Sequence, residues 1–320
     1  MRKTQQSSCL LAALVCVLFS TGCAKENRQP AASSGNPEMA LTPEGFMEKS
    51  RVHFIDQGFA LRLENGHIQK VDAKTGSLVE DFGEARTDGF QNLNLNQEPA
   101  ANSYNSREPE VQGWIAYTYW SNPNTSAPIT SFTTNWVVPS APSKAGSQTI
   151  FLFNGMQDGT TSTSYIIQPV LQWGPSAAGG GKYWAITNWY VTSSQAFYGA
   201  LVQVSAGTSL TGVMTETGVS GSKYNYNSTF TGYPSTAVNV SGVPEAYWAA
   251  ETLESYGVTN TSTEYPPNVD LAMGSIGILE GTKNPTLSWT AAQATRGAAQ
   301  KAVVVSNSSS DGQVDIYFRQ

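Results

Sequence analysis

From about residue 108 onward, the chain consists of short apolar or alternating runs that are separated by turn residues. Such runs are typical of β-strands, because successive side chains of a strand point to opposite faces. No long 3.6-residue pattern of an amphipathic helix interrupts them. The pattern predicts one all-β domain over 108–320, a two-sheet antiparallel β-sandwich of the jelly-roll or concanavalin-like kind. Its clearest runs are Trp114–Trp120, Ser131–Val138, Thr149–Phe153, Tyr183–Val191, Ala200–Ala206, Ser209–Thr215, Lys301–Val305 and Gly312–Phe318.

The first 107 residues have a different pattern. Residues 1–22 hold two basic residues and then an apolar run that is too short for a transmembrane helix, which predicts a signal peptide. Residues 23–45 are polar and rich in Pro and small residues, which favours a flexible stalk. Residues 46–107 contain one hairpin pattern around Asn65-Gly66 and end in a linker-like stretch. This small, partly disordered region is predicted to be either a prosegment that covers an active site or a spacer.

The end of the signal peptide contains a cysteine. The stretch Ser20-Thr-Gly-Cys23 resembles a bacterial lipobox, and lipidation of Cys23 would tether the mature protein to a membrane surface. Ala24 favours the outer membrane where the host has one. The alternative is an ordinary cleaved signal with an incidental cysteine, which would give a secreted protein. Either way, the sequence predicts export, with a lipoprotein on the cell envelope as the preferred interpretation.

Charge and composition exclude some partners. Only 13% of the residues are charged and the net charge is −6, so no basic surface is available to neutralise phosphates. We therefore expect no nucleic-acid partner. Abundant Gly and aromatic residues with few charges suit an exported all-β protein better than a helical cytosolic enzyme.

The positions of cysteine and histidine limit the chemistry further. All three cysteines lie in the first 23 residues, and the two histidines are His53 and His67. A Ser-His-Asp triad, a Cys-His dyad and a His-ligated zinc site are therefore excluded from the rest of the chain. Catalysis there would depend on carboxylates, amides, hydroxyls, Lys or Arg, and the mechanism implied by the family resemblance described below requires no cofactor or metal.

Two apolar stretches each contain one polar residue whose side chain could take part in catalysis. Gln168 lies within 165–174, and Glu251 lies within 246–254. An amide or carboxylate is costly to bury unless it finds a partner or serves a site, so these two are the candidate functional pair. Strand alternation puts Glu251 and Glu254 on opposite faces, but alternation alone does not say which one points inward.

The ordered motifs of the domain resemble those of the glutamic peptidases, or eqolisins, which are two-sheet β-sandwich endopeptidases with a catalytic Gln and Glu. The order and spacing of the motifs hold from about residue 113 to the C-terminus. The matching stretches are Thr134–Ala141 with the family's Asn-Val-Pro-Ser, Phe151–Gly155 with Val-Gly-Ile-Asp-Gly, Ile166–Gln168 with Ile-Leu-Gln, Asn188–Tyr190 with the end of Trp-Tyr-Glu-Trp-Tyr, Ala246–Glu251 with Ala-Glu-Trp-Ile-Val-Glu, and Gly274–Ile276 with a late strand.

The resemblance implies an endopeptidase that acts on polypeptides, with Gln168 and Glu251 as the catalytic dyad and Gln172 as the alternative amide. Glu251 would take a proton from water and pass it to the leaving amine, while Gln168 would donate to the oxyanion. An ordinary Glu titrates near ~4.3, which favours an acid optimum. Asn154 and Asn188 stand where the family has acids. The residues expected along the substrate cleft are Asn154, Trp184, Asn188, Trp189, Tyr190 and Trp248.

A second class of function stays open. Sandwiches with aromatic faces also bind sugars or peptides without catalysis, so a lectin-like module is the alternative. A polysaccharide lyase is less compatible with the missing histidines, and a glycosidase needs a second facing carboxylate. The sequence makes no prediction of the oligomeric state.

Overall fold

The structure, a computed structural model, describes residues 37–86, 112–124, 126–159, 164–294 and 299–319. The predicted signal peptide of residues 1–22, the candidate lipidation site Cys23 and the linker of residues 91–107 lie outside these ranges. Within them, no helix is long and apolar enough to cross a membrane. The export and anchoring predictions therefore stay predictions.

Nearly all regular structure in the described residues is β-strand. One short helix, α1 (Thr261–Glu264), and a 3-10 turn (Lys49–Arg51) are the exceptions in these ranges. The strands are β1 (Met39–Thr42), β2 (Gly45–Glu48), β3 (Val52–Phe54), β4 (Phe59–Glu64), β5 (His67–Asp72), β6 (Leu78–Glu84), β7 (Gly113–Ser121), β8 (Ile129–Val137), β9 (Thr149–Gln157), β10 (Ile166–Ser176), β11 (Gly179–Val191), β12 (Ala196–Tyr198), β13 (Val202–Val204), β14 (Ser209–Ser220), β15 (Lys223–Phe230), β16 (Tyr233–Val243), β17 (Trp248–Tyr256), β18 (Asp270–Glu280), β19 (Thr290–Gln293), β20 (Lys301–Ser306) and β21 (Gly312–Tyr317).

These strands form two large sheets and one hairpin. Sheet I has the order β19-β7-β17-β9-β10-β11-β12-β3, with β13 also paired to β11. Sheet II has the order β20-β21-β18-β8-β14-β15-β16-β4-β5-β6, and β1 pairs with β2 alone. The two sheets share one hydrophobic core, to which β9 contributes Ile150, Leu152 and Met156, while β8 contributes Phe132 and Trp136. The predicted all-β sandwich is confirmed.

The N-terminal strands are built into this sandwich. β3 pairs in parallel with β12 of sheet I, and β4 pairs in parallel with β16 of sheet II. The described pairings within residues 112–319 are antiparallel, as the sequence predicted for that part of the chain. The described part of 46–107 therefore completes both sheets, and its predicted role as prosegment or spacer stays a prediction.

The central strands of sheet I are buried on both faces of the sheet. We call the face toward sheet II the inner face and the opposite one the outer face. The outer face carries an aromatic cluster that includes Trp114, Phe153, Trp189 and Trp248. Leu41 and Met47 of the β1–β2 hairpin pack against this cluster, together with Val52. Because both faces are covered, every residue of β9 and β17 is buried.

The hairpin corrects one sequence-based boundary. The stalk predicted for residues 23–45 is wrong over residues 39–45, because 39–42 form β1 and the chain then turns into β2. Leu41 and Met47 are the physical reason, since their apolar side chains gain burial against the outer face.

Candidate functional site

Glu251 lies on the inner face of sheet I, between the two sheets. It follows Ala249 and precedes Leu253 in the alternation, and both of these belong to the intersheet core. Its side chain is fully buried, and Thr134 of sheet II donates a hydrogen bond of 2.5 Å from Oγ1 to Glu251 Oε1. Burial raises the pKa of Glu251 well above its ordinary value, and the Thr134 bond offsets only part of that rise. The carboxyl therefore lies in a position where protonation is favoured and substrate cannot reach it.

The side chain of Asn188 also faces inward and connects the two sheets. Its Nδ2 donates to Thr236 O at 3.0 Å and to Thr236 Oγ1 at 2.9 Å. Ser228 Oγ donates to Asn188 Oδ1 at 2.6 Å. All three partner atoms belong to sheet II, so Asn188 serves the packing of the sandwich.

Asn154 has a similar place one strand from Glu251. It is directly opposite Glu251 in the register of β9 and β17, and its Nδ2 donates to Gly212 O at 3.5 Å. A Cβ atom on Gly212 would come within 2.5 Å of Asn154 Oδ1. Only glycine therefore allows β14 to approach Asn154 this closely.

Gln168 lies on the outer face. It is directly opposite Trp189 in the β10–β11 register, and its neighbours Ile166 and Val170 belong to the outer aromatic cluster. The side chain is fully buried, and neither of its amide atoms has a hydrogen-bond partner among the described residues. An unsatisfied buried amide costs stability, so this position is unusual for a purely structural residue.

The expectation that Gln168 and Glu251 converge is wrong in this structure. β9 lies between β10 and β17, so the two residues are not on adjacent strands. Two strand spacings separate their backbones by about 10 Å. More decisively, Glu251 contacts sheet II while Gln168 belongs to the opposite face. Because a sheet separates the two side chains, they cannot act on one water molecule.

The alternative amide, Gln172, is also on the outer face but is already satisfied. Its Nε2 donates to Gly174 O at 2.7 Å and to Gly179 O at 2.9 Å. Ser176 Oγ donates to Gln172 Oε1 at 2.9 Å. These bonds hold the turn between β10 and β11, which gives Gln172 a structural role.

The aromatic residues expected along the cleft are divided between the two faces. Trp184 and Tyr190 belong to the intersheet core, whereas Trp189 and Trp248 belong to the outer cluster. Of the six expected cleft residues, these two tryptophans share the outer face with Gln168. The indole Nε1 atoms of both lack a hydrogen-bond partner within the described ranges.

A carboxyl that sequence reasoning set aside, Glu254, lies on this outer face. It is fully buried, and its Oε1 accepts a 2.5 Å hydrogen bond from Tyr256 Oη. The same oxygen accepts a 2.8 Å bond from the backbone N–H of Glu44, at the turn of the β1–β2 hairpin. Burial, and then the nearby Glu44 carboxyl, raise the pKa of Glu254 well above its ordinary value. Glu254 and Tyr256, two residues apart, were the available sequence signal, because that spacing puts both side chains on one face of a strand.

Glu44 completes this cluster from the hairpin. Trp114 Nε1 donates a 2.9 Å hydrogen bond to Glu44 Oε1. A register shift in the β7–β17 pairing places Trp114 opposite Glu254. Burial raises the pKa of Glu44 to about 7. Glu44 also has a φ of +81°, a strained conformation for a residue with a side chain. The hairpin thus inserts one strained residue between Trp114 and Glu254.

A cleft of about 530 Å³ opens beside this cluster, between the hairpin and the edge of the sandwich. Tyr256 is the member of the cluster that lines it, so the cleft gives access to the neighbourhood of Glu254. Its other lining residues include Met39, Leu41 and Phe46 of the hairpin, together with Ser147, Thr149 and Ser176. Among the described residues, no group of three or more His, Cys, Asp or Glu side chains could hold a metal ion.

Comparison with known proteins gives a likeness of fold. No protein-family model matches the chain, and no curated protein sequence matches it. Two crystal structures of scytalidoglutamic peptidase with transition-state analogues align with TM-scores of 0.40 and identities of 12% and 14%, over 64% and 65% of this chain and 98% of theirs. SCP-B, a member of the eqolisin family in complex with the tripeptide Ala-Ile-His, aligns with a TM-score of 0.39 and 12% identity, over 65% of this chain and 99% of its own. Similarity at this level concerns the course of the chain, and no residue role is taken from it.

Proposed function

We propose that this protein is a peptidase of the glutamic type whose working carboxyl is Glu254, and that the β1–β2 hairpin covers the site. The observation that supports it is the bond from the backbone N–H of Glu44 to Glu254 Oε1. A carboxylate that already holds a peptide N–H of its own chain is suitably placed to deliver a proton to the leaving amine of a substrate.

The chemistry requires Glu254 and Tyr256 alone. Ionised Glu254 would take a proton from water as the water attacks the scissile carbonyl carbon. As Glu254 takes up that proton, Tyr256 Oη would release its hydrogen bond to Glu254 Oε1 and donate to the developing oxyanion, and protonated Glu254 would then return its proton to the leaving nitrogen. Burial and the nearby Glu254 carboxyl raise the pKa of Tyr256 far above its ordinary range, so its hydroxyl stays a donor.

The hairpin would keep this chemistry inactive in two ways. It occupies the position of a substrate, and it raises the pKa of Glu254 through burial and the Glu44 carboxyl. Departure of the hairpin would remove the Glu44 carboxyl and reduce the burial of Glu254, so the pKa of Glu254 would fall towards its ordinary value. The carboxylate needed as a base would then form at mildly acid pH, which agrees with the acid optimum expected from the sequence.

The test uses the full chain with the hairpin loosened by Leu41→Asp and Met47→Asp, which put charges where two apolar side chains pack on the outer face. Casein cleavage would be measured from pH 3 to 8. Added to this background, Glu254→Gln should reduce the rate by at least about a hundredfold, as loss of a general acid–base does. Glu251→Gln is the matched control, because it is three residues away on the same strand and on the other face.

The outcomes distinguish the two glutamates. Retained cleavage with Glu251→Gln and lost cleavage with Glu254→Gln would support the proposal. The reverse result would overturn it and make Glu251 the working carboxyl. Near-ultraviolet circular dichroism on each variant would verify that the sandwich is intact.

A non-catalytic binding module is the second candidate function. The observation in its favour is a group of buried polar atoms without partners among the described outer-face residues, which includes the Gln168 amide and the indole N–H groups of Trp189 and Trp248. Aromatic faces with such donors can bind a peptide or a carbohydrate. Binding of either ligand to the loosened chain, with no cleavage at any pH, would favour this candidate.

We also propose that the protein is exported and anchored through Cys23, as its first residues suggest. Cys23→Ser should move the protein from the membrane fraction to the soluble fraction after cell lysis. A variant that stays in the membrane fraction would contradict the anchor.

A further inference from the structure

We propose that Trp114 and Glu254 form a subsite that selects a glutamate or glutamine side chain in polypeptide substrates, with Glu44 as its built-in occupant. This inference rests on the proposed function, since it assumes that a peptide bound in the subsite is a substrate, but binding of the peptide can be tested separately from its cleavage.

The first support is that the subsite recognises the occupant at two points. Glu254 Oε1 accepts from the backbone N–H of Glu44, and Trp114 Nε1 donates to the side-chain carboxyl of the same residue. The backbone contact is available to any residue except proline. The indole contact requires a side-chain oxygen that reaches as far as that of Glu44, which Glu and Gln provide and Ala does not.

The second support is the conformation of the occupant. A φ of +81° at Glu44 is unfavourable for a residue with a side chain, and the following Gly45 has a φ of +112°. A turn of this kind would be less strained with glycine or asparagine at position 44. The strained glutamate is therefore held in place by what it contacts, and its contacts are the members of this subsite.

The third support is the electrostatic setting. The titratable groups that face Glu44 are Glu254 and Tyr256, both on β17. Within the described ranges, no Lys or Arg forms an ion pair with Glu44 or Glu254. Two carboxyl groups without a cation repel each other when both are ionised. Binding of a glutamate therefore requires at least one of the two carboxyl groups to be protonated, whereas a glutamine adds no second carboxyl group.

The test uses the loosened full chain, Leu41→Asp with Met47→Asp, and synthetic peptides with the sequence of residues 39–48. One peptide keeps glutamate at position 44, and two others carry glutamine or alanine there. Calorimetric titration at pH 5 should show that the Glu and Gln peptides bind at least tenfold more tightly than the Ala peptide. At pH 8 the Glu peptide should bind at least tenfold more weakly than at pH 5, and its loss of affinity should exceed that of the Gln peptide, which adds no second carboxyl group.

Trp114→Phe should remove the preference for Glu and Gln over Ala, since phenylalanine keeps an aromatic ring but has no N–H donor. Tyr119→Phe is the matched control, because Tyr119 is an aromatic residue on the same strand and in contact with the outer cluster. Equal binding of the Ala and Glu peptides, or a preference that survives Trp114→Phe, would overturn the subsite.

A second measurement keeps Leu41 and Met47, so its result does not depend on whether the loosened variant folds. In the otherwise unaltered chain, Glu44→Ala should speed amide hydrogen exchange over residues 39–48 at pH 5 at least tenfold relative to Glu44→Gln. Equal exchange would contradict the proposal. Discrimination in binding without any hydrolysis would leave the subsite standing and remove the peptidase, whereas hydrolysis without discrimination would do the opposite.

Discussion

The two glutamates of β17 occupy contrasting environments, although three positions separate them. Glu251 lies between the sheets and is bound by Thr134, which itself belongs to the core of the sandwich. Glu254 lies on the outer face and is bound by the hairpin, which is attached at the edge of the fold. The inner carboxyl can change its surroundings only if the sheets separate. The outer carboxyl needs only the hairpin to move, which is why the chemistry is assigned to it.

Two buried amide side chains show the same contrast between the inner and outer faces of sheet I. Asn188 on the inner face has three hydrogen-bond contacts with sheet II, while Gln168 on the outer face has none among the described residues. A buried amide that is fully bonded stabilises the fold, and one that is not bonded destabilises it. The two amides therefore differ in what they contribute: Asn188 stabilises the sandwich, whereas Gln168 is a candidate for a functional role.

The largest effect on stability is expected for Asn188→Ala. It leaves the Thr236 and Ser228 groups buried without a partner and creates a small cavity, so the free energy of unfolding should fall by about 2–4 kcal/mol. Urea denaturation would measure it. Asn239→Ala is the control, because Asn239 is only partly buried and accepts one bond from Asn227. A similar loss in both variants would remove the distinction between bonded core amides and other amides.

The pH dependence of stability should separate the two carboxyl groups. The folded-state pKa of each is raised, so each contributes stability below the ordinary Glu value of about 4.3 and loses it as pH rises towards its raised pKa. The slope is at most about 1.4 kcal/mol per pH unit for each group. Glu251→Gln should flatten the pH dependence of global urea unfolding.

The outer carboxyl should respond through local opening. Since the hairpin can leave without unfolding the sheets, Glu254→Gln should flatten the pH dependence of hydrogen exchange over residues 39–48. If Glu251→Gln flattened the hairpin exchange as well, the two faces would be coupled and the comparison would fail.

The smallest effect is expected for Gln168→Leu. Replacing an amide without partners by an apolar side chain of similar size should raise the free energy of unfolding by about 1 kcal/mol. Thermal unfolding would detect the gain. A loss of stability would mean that the Gln168 amide is bonded after all, which would move it to the structural class of Asn188.

The sequence predicted the sandwich well because its edges and turns carry clear patterns. The run of Trp114–Trp120 became β7, and the stretch of 165–174 became most of β10. The sheet face to which the side chains of Gln168 and Glu251 point could not be predicted in the same way. β10 around Gln168 and β17 around Glu251 are buried on both faces, so their sequences show no alternation of polar and apolar residues that would reveal which face is which.

The position of the hairpin was beyond the sequence for a different reason. Glu44 and Glu254 are 210 positions apart, and no local pattern connects a short apolar pair such as Leu41 and Met47 to a distant strand. The strand order of sheet I could not be predicted for the same reason, because β9 comes between β10 and β17 through long-range pairing. The sequence is enough to name such side chains as candidates. It is not enough to predict that they come into contact.

The parallel pairing of the earliest strands has a consequence for biosynthesis. β3 and β4 leave the ribosome early, but their partners β12 and β16 follow far later in the chain. β4 can pair at once with β5, but the parallel pairings of β3 and β4 must wait until most of the polypeptide has been made, and contacts of such long range form slowly. The β1–β2 hairpin is also made early, but it can reach its place on the outer face only after β17 has been made, because Glu44 binds Glu254 there.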